Sequence, residues 1–324
     1  MRKPFIVEEY GSFLSVSGEN ITLKTKESKV SESLKNLSYI VINGSHAGLS
    51  SALILKCLKR KIPIIIADDL GRPRSIISEF KRADDTRERQ LKFSSHSKSI
   101  SFVCKILKEK IRKQHQTLHY HIRSLRLNGK DEVKNIEGYN HKHFLASFDV
   151  LAKRKTTVKK ISKDIFLLEA RSSRSYWRAF SKLFPKILFP GRQKRDTEDP
   201  VNKLLNYGYA LLSSSVLKET VFAGLDPTVP LLHHRKGLTF PFVFDLMEPF
   251  RPLADHAVIS FFHKQKKQIL GKKGKVRKSV LRRFRKYWFE KMKNPRPWSK
   301  SDKSLEKLIG ELLKKYKKSA GVKF

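Results

Sequence analysis

Acidic side chains are scarce in this chain: 30 Asp and Glu stand against 70 Lys and Arg, a formal net charge of +40 over 324 residues. That excess goes far beyond what solubility requires, so a polyanionic partner is the first expectation. Cysteine is scarcer still. Only Cys57 and Cys104 occur, with no metal-type spacing, and each sits among apolar neighbours in a helical pattern. Both read as small core residues of a protein in a reducing compartment. Long apolar runs are absent too: no stretch reaches the roughly eighteen residues of a membrane span, and the N-terminal MRKPFIVEEYG has charge but no apolar core after it. A soluble, intracellular protein is expected.

With 39% hydrophobic residues and aromatics throughout, the charge decorates a folded body rather than a disordered basic arm. The length allows two domains. Residues 1 to about 80 are β-rich, with short stretches at Phe5 to Glu8, Phe13 to Val16 and Ile21 to Lys24 between turn signals at Gly11, Gly18 and Asn20. One helix, roughly Ala47 to Lys59 with Ser45 as N-cap, is expected between strands Tyr39 to Ile42 and Pro63 to Ala67. Gly44, Gly48 and Asp68 imitate a dinucleotide-binding unit, but the third glycine that the fingerprint needs is missing, which argues against a nucleotide site.

Beyond Asp84 strand signals nearly vanish, and Ile106, Ile111, Leu118 and Ile122 are spaced to line one face of a long helix. The fold class is α+β: an N-terminal β-rich domain with one crossover helix (1–85), then a larger all-helical domain (86–324). Residues 190–200 read as a connecting loop. Asp199 before Pro200 suits a helix start, and Leu204, Leu205, Tyr209 and Leu212 form an apolar face. Residues 295–324 have room for one helix, SLEKLIGELLKKYKKS.

Three side chains suited to a divalent ion stand in separate contexts: Glu169 in LLEARSSRSYWRAF, His233 in GLDPTVPLLHH and Glu248 in FDLMEPFRP. Each also has a plain structural reading. Glu169 with Arg171, Arg174 and Arg178 fits a surface ion-pair helix, and a histidine after PLL is commonly a hydrogen-bonded core or surface residue. Asp245 and Glu248, three apart, share a helix face but also make a variant capping pair, and Pro249 disfavours helical geometry at Glu248. In HKQKKQILGKKGKVRKSVLRRFRK, His263 to Lys286, no acid interrupts the bases, so Lys272, Lys273, Arg277, Lys278 and Arg282 are candidates for phosphate contact. Arg235 and Lys236, just after the histidines, are candidates to neutralise charge developing at a metal site and read equally well as plain solvated bases.

Taken in order, EARSSRSYW, DPVNKLLNYGYALL, GLDP with LLH, and DLMEPFRPLAD resemble the CRISPR-associated integrase of spacer acquisition, the universal first Cas protein family. VINGSHAGLSSALILKCLKRKIPIIIADDLGRP and KILKEKIRKQHQTL also look like that family's N-terminal crossover and first long helix. The resemblance implies a metal-dependent DNA endonuclease and integrase that joins short duplexes into a repeat array by attack of a 3′-hydroxyl on a phosphodiester. It implies Mg2+ or Mn2+ held by Glu169, His233 and Glu248, with Asp245 as the accompanying catalytic-site carboxylate and His234 outside the ligand set. Ala170 stands where the family usually has glycine, and Pro230 likewise. The implied partners are double-stranded DNA, a second copy docked through the N-terminal domain, and a second Cas acquisition protein, all in the cytoplasm of a prokaryotic cell. A casposon integrase and a catalytically weakened DNA-holding subunit are the alternatives. The former tends to carry an additional C-terminal DNA-binding domain.

Overall fold

A computed structural model describes residues 2–44, 46–79, 85–127, 139, 141–193, 199–233, 239–269, 276–295 and 303–322. The N-terminal region pairs its strands in two sheets. In the first, β1 (Lys3–Val7), β5 (Leu37–Asn43) and β7 (Ile64–Ala67) run parallel in the order β1-β5-β7-β8, and β8 (Pro73–Ile77) closes the edge antiparallel. In the second, β4 (Lys29–Ser33), β3 (Asn20–Lys24) and β2 (Phe13–Ser17) form an antiparallel meander, and the two-residue β6 (Gly48–Leu49) joins β2 in parallel.

Strand alternation divides the apolar side chains between two cores. Ile40, Ile42 and Ile64 face Leu14, Ile21 and Leu23 of the second sheet together with Leu53 and Cys57 of α1 (Ser51–Lys59). Tyr39, Val41, Ile65 and Ala67 face the helices instead. Because side chains alternate with period 2, strands buried on both faces read as unbroken apolar runs such as YIVI and IIIA. The β-rich region is thereby continuous with the helical core.

Helix α1 begins later than the sequence suggests. Ser50, not Ser45, is its N-cap and accepts from the Leu53 N–H, because residues 48 and 49 are taken by β6; Ser45 itself lies outside the described residues. The imitation of a dinucleotide unit dissolves for the same reason. Asp68 accepts from the Leu70 and Arg72 N–H groups and pairs with Arg72 and Arg74, so it closes the β7–β8 turn rather than awaiting a ribose.

Among the described residues the elements after β8 are helical: α2 (Thr86–Ser94), α3 (Lys98–Leu127), α4 (His141–Ala152), α5 (Val158–Ser181), α6 (Pro200–Phe222), α7 (Pro241–Met247), α8 (Arg251–Ile269), α9 (Lys278–Lys293) and α10 (Leu305–Ala320). Ile106, Ile111 and Leu118 of α3 are buried as their spacing predicts. Asp199 caps α6 through the Asn202 N–H with Pro200 in the first turn. Helix α6 is buried along most of its length and runs under the first sheet, where the Tyr39 hydroxyl lies 3.4 Å from Ser215 Oγ. Cys57 and Cys104 are free and buried, and burial pushes both thiols up to about 11. Helix α10, capped by Ser304, is the one helix expected after residue 295. Its Tyr316 packs against Phe93 of α2, Phe102 of α3 and Phe242 of α7.

A histidine pair ties α3 to α8: His121 Nε2 and His256 Nδ1 are 2.8 Å apart, one donating and one accepting, so both rings cannot carry a full set of protons there. Burial, with the neighbouring His256 and His263, depresses His121 to about 2; burial, with Lys291, depresses His256 to about 3. Their ordinary value is 6.5. Below that pH the unfolded chain binds protons that the folded chain refuses, so this contribution to stability is lost as pH falls. The slope should be about 1.4 kcal/mol per pH unit for each histidine. Urea titrations between pH 7 and 4.5 should therefore show a shallower loss of stability for the double variant His121→Gln/His256→Gln than for the wild type.

Candidate metal and nucleic-acid site

The sequence placed three candidate ligands in separate segments, and the helical region brings their elements to one wall. Glu169 lies halfway along α5, Glu248 opens the short 3₁₀ turn Glu248–Phe250 between α7 and α8, and His233 ends the described part of the loop after α6. Pro249 does not displace Glu248 from helical geometry: its φ and ψ are −51° and −49°. What the proline does is end α7 at Met247 and turn the chain into α8, leaving the Glu248 side chain at the junction.

Between the two glutamates sits a cation that the motifs did not announce. Lys110 of α3 places Nζ 2.5 Å from Glu169 Oε1 and 2.7 Å from Glu248 Oε2. Arg251 Nε donates to Glu248 Oε1 at 2.8 Å, and Ser173 Oγ donates to Glu169 Oε1 at 2.8 Å. Burial raises the Glu248 carboxyl, but Arg251, Lys110 and His233 outweigh it and hold the group well below the carboxylate range. Burial likewise raises Glu169, Lys110 overcomes it, and the net shift is downward. Lys110 moves the other way: desolvation works against its charge, and the two glutamates more than restore it. Both carboxylates stay ionised only because cations are buried with them.

His233 is oriented by Asp245. Asp245 is wholly buried, and its Oδ1 lies 2.6 Å from His233 Nδ1 and accepts from the His233 N–H. Its Oδ2 accepts from the N–H groups of Leu231 and Leu232 at 2.8 and 3.0 Å. Capping is thus not its role; it sits inside α7, whose N-cap position is Phe240. The hold on Nδ1 leaves Nε2 as the ring nitrogen for a ligand, with the Phe166 ring edge-on at 5.6 Å. Burial lowers the imidazole's proton affinity, the Asp245 hydrogen bond together with the charges of Asp245 and Glu248 outweighs it, and the net shift is upward.

Further out, the quoted motifs are brackets. Gly224 (φ +71°) reverses the chain after α6, a conformation that needs no Cβ. Gln90 of α2 then clasps the Asp226 backbone from both sides, and the Asp226 carboxylate takes Arg87 and Thr228. Tyr209 lies under the Arg251 guanidinium, 5.1 Å from ring centre, and donates to the buried Asp255, as does Tyr176. The stretch DPVNKLLNYGYALL supports the site by holding Arg251.

Glu169 does not belong to a surface ion-pair helix: it turns inward to Lys110, while Arg171, Arg174 and Arg178 are exposed. Two glutamates around one cation, beside an oriented imidazole, are the donor set of a hard or borderline divalent ion, and the Lys110 ammonium marks where a cation is already accommodated. Among the described residues, however, no three His, Cys, Asp or Glu side chains close into one cluster. Lys110 was legible only as a lone lysine on the apolar face of α3, one position before Ile111, and Arg251 only as the base three residues after Glu248. His234, Arg235, Lys236, Lys272 and Lys273 lie outside the described residues. Arg277 is exposed, Lys278 begins α9, and Arg282 pairs with Glu9 while Arg285 pairs with Glu8. The acid missing from the basic run is supplied by the segment after β1.

The profile of the family described as "CRISPR associated protein Cas1" matches residues 5–284. This chain belongs to the Cas1 family. It is 30% identical over 265 residues to the CRISPR-associated endonuclease Cas1 of Korarchaeum cryptofilum, covering 79% of this chain and 76% of the relative. A second endonuclease of that name, from Francisella tularensis subsp. novicida, is 27% identical over 265 residues, 79% of this chain and 78% of the relative. Among solved structures, a casposase bound to its integration product superposes with a TM-score of 0.79 at 20% identity, covering 99% of this chain and 90% of that one. A Cas1 protein from Thermotoga maritima gives 0.77 at 16% identity, covering 99% and 97%. At those identities the likeness is one of fold: a strand-rich N-terminal region followed by helices.

Asp245 satisfies three backbone donors besides the imidazole, so truncating it strands buried N–H groups at about 1–3 kcal/mol each. Asp245→Ala should lower the unfolding free energy by about 3 kcal/mol or more, and Asp245→Asn by less, since one oxygen still accepts. Urea unfolding in EDTA measures both. Equal stability of Asp245→Ala and wild type would remove Asp245 from the scaffold of the site.

Proposed function

We propose that this Cas1-family chain is a divalent-metal-dependent DNA endonuclease and strand-transfer integrase that inserts short duplexes into a CRISPR repeat array. The observation that carries the reading is the Glu169–Lys110–Glu248 arrangement: one buried and one half-buried carboxylate from different motifs, kept ionised around one cation, next to an imidazole whose Nε2 is left to coordinate. Glu169, His233 and Glu248 would hold Mg2+ or Mn2+, and the bound ion would polarise a phosphodiester for in-line displacement by a 3′-hydroxyl or by water. The chain's own contributions are orientation and charge. Asp245 fixes the imidazole and its loop, Arg251 fixes Glu248, and the net charge of +40 draws in the DNA backbone.

The relatives' names support an endonuclease, and solved neighbours include a Cas6-RT-Cas1–Cas2 complex and a Cas1–DNA complex. Double-stranded DNA and a second Cas acquisition protein are therefore proposed as partners, and a second copy docked through residues 1–85 is proposed on the family resemblance of the sequence alone. The helical region from residue 86 onward is the proposed nuclease domain. Among the described residues no helix is long and apolar enough to cross a membrane; the cytoplasm of a prokaryotic cell is the proposed location.

Labelled duplex, supercoiled repeat-array target and Mn2+ test the activity, with a transposon-end duplex in parallel to distinguish a casposon-type integrase. Glu169→Ala, His233→Ala and Glu248→Ala are each expected to lower strand transfer at least 100-fold, a loss of about 2.7 kcal/mol or more of transition-state stabilisation, with duplex binding retained. His234→Ala should be mild. Equal loss at His233 and His234, or full activity without Glu169, would overturn the ligand assignment.

Phosphate contact through the basic segment is tested by salt. Each phosphate contact contributes roughly −0.9 to the slope of log affinity against log salt on duplex DNA. Replacing Lys272, Lys273 and Arg277 by Gln should flatten that slope by up to about three contacts' worth and weaken all duplex sequences alike. An unchanged slope in fluorescence anisotropy would make the run a solvated face.

A further inference from the structure

Lys110 is 6% exposed and Glu248 5%, and the Lys110 ammonium touches both glutamates, while Arg251 takes the second oxygen of Glu248. The set is electrically balanced: two carboxylates, two cations. A divalent ion entering between the glutamates adds two positive charges where an ammonium already stands. Like charges at such distances repel strongly out of water, so metal and ammonium cannot share the same carboxylate oxygens. Either Lys110 gives way or the metal stays weakly held. The charge that can tip this balance comes from outside, and the group recruited to this basic surface is phosphate, on which a displaced ammonium finds a new counter-ion.

The geometry points to Lys110 as an internal cation that a metal must displace, so that metal loading at Glu169 and Glu248 depends on bound nucleic-acid phosphate. This rests on the reading of Glu169, His233 and Glu248 as the metal's ligands. By linkage the coupling is reciprocal: whatever factor DNA adds to metal affinity, the metal adds to DNA affinity. Free metal then leaves the protein alone largely unloaded, and the hydrolytic centre assembles on its substrate. Lys110 is a positioning residue in this scheme, acting through the two glutamates.

Calorimetric titration of the full chain with Mn2+, with and without a short duplex, measures the coupling, and anisotropy of the duplex with and without Mn2+ measures its reciprocal. Wild type is expected to bind Mn2+ about tenfold or more tightly when the duplex is present. Lys110→Met keeps the unbranched stem and removes the charge. It should bind Mn2+ about tenfold more tightly than wild type without DNA, and gain little from DNA. Its melting temperature should fall in EDTA, where Arg251 alone is left to offset the two carboxylates, and recover with Mn2+. Lys110→Arg, which keeps the charge, should keep the coupling, and provides the comparison if Lys110→Met folds poorly. Lys110→Met binding Mn2+ no more tightly than wild type, or an equal duplex effect in both, would overturn the proposal. Should Glu169→Ala bind Mn2+ as tightly as wild type, the ligand assignment itself fails, and the proposal with it.

Discussion

Two like-charged carboxylates, one buried and one half-buried, within reach of one ammonium are the constraint around which the helical region is arranged. Glu169 and Glu248 come from different helices, and their mutual repulsion works against bringing those helices together. Lys110 from α3 and Arg251 from α8 reverse the sign of that interaction. Each cation is then positioned by something else: Lys110 by the apolar face of α3, Arg251 by the Tyr209 ring and, through Tyr209, by Asp255. A buried ion pair is weak evidence for stability, since desolvation offsets much of the attraction. What the cations do here is keep both acids charged in spite of the water they lose.

The legible parts of the sequence were those with a repeating or locally punctuated signal. Strand alternation gave the β-rich region, periodicity gave the face of α3, and the Asp199–Pro200 pair gave the start of α6. Element boundaries failed where a tertiary partner decided them. Residues 48 and 49 pair with β2 across more than thirty residues of chain, so α1 starts at Ser51 and its cap moves to Ser50. The ligand motifs stood out, but their local surroundings misled. Glu169 looked paired with the arginines that follow it, and Asp245 looked like a cap, because sequence shows neighbours at i+3 and i+4 and hides a lysine 59 residues away. What most defines the site, the Lys110 bridge, is a long-range contact and therefore had no local signature beyond one charge on an apolar stripe.

The uneven charge of the chain acquires a similar reading. Acids are few, and many of those described are engaged structurally: Glu8 and Glu9 tie the segment after β1 to Arg285 and Arg282 of α9, Asp68 closes a turn, Asp226 anchors the loop toward His233 to α2, and Asp255 braces two tyrosines. The net excess of 40 positive charges over the whole sequence makes the protein strongly attractive to phosphate. Scarcity of acid is thus what makes the surface basic.

Helix α10 carries a consequence for the order of events at birth. Tyr316 near its end lies 4.7 Å from the Phe242 ring on α7, the helix that holds Asp245. The wall behind the imidazole is therefore completed by residues translated some seventy positions after Asp245 itself. Chains emerge N-terminus first and fold as units become available. A nascent copy would therefore present α7 before the helix that packs against Phe242 has been made, and this side of the site stays unbacked until α10 emerges.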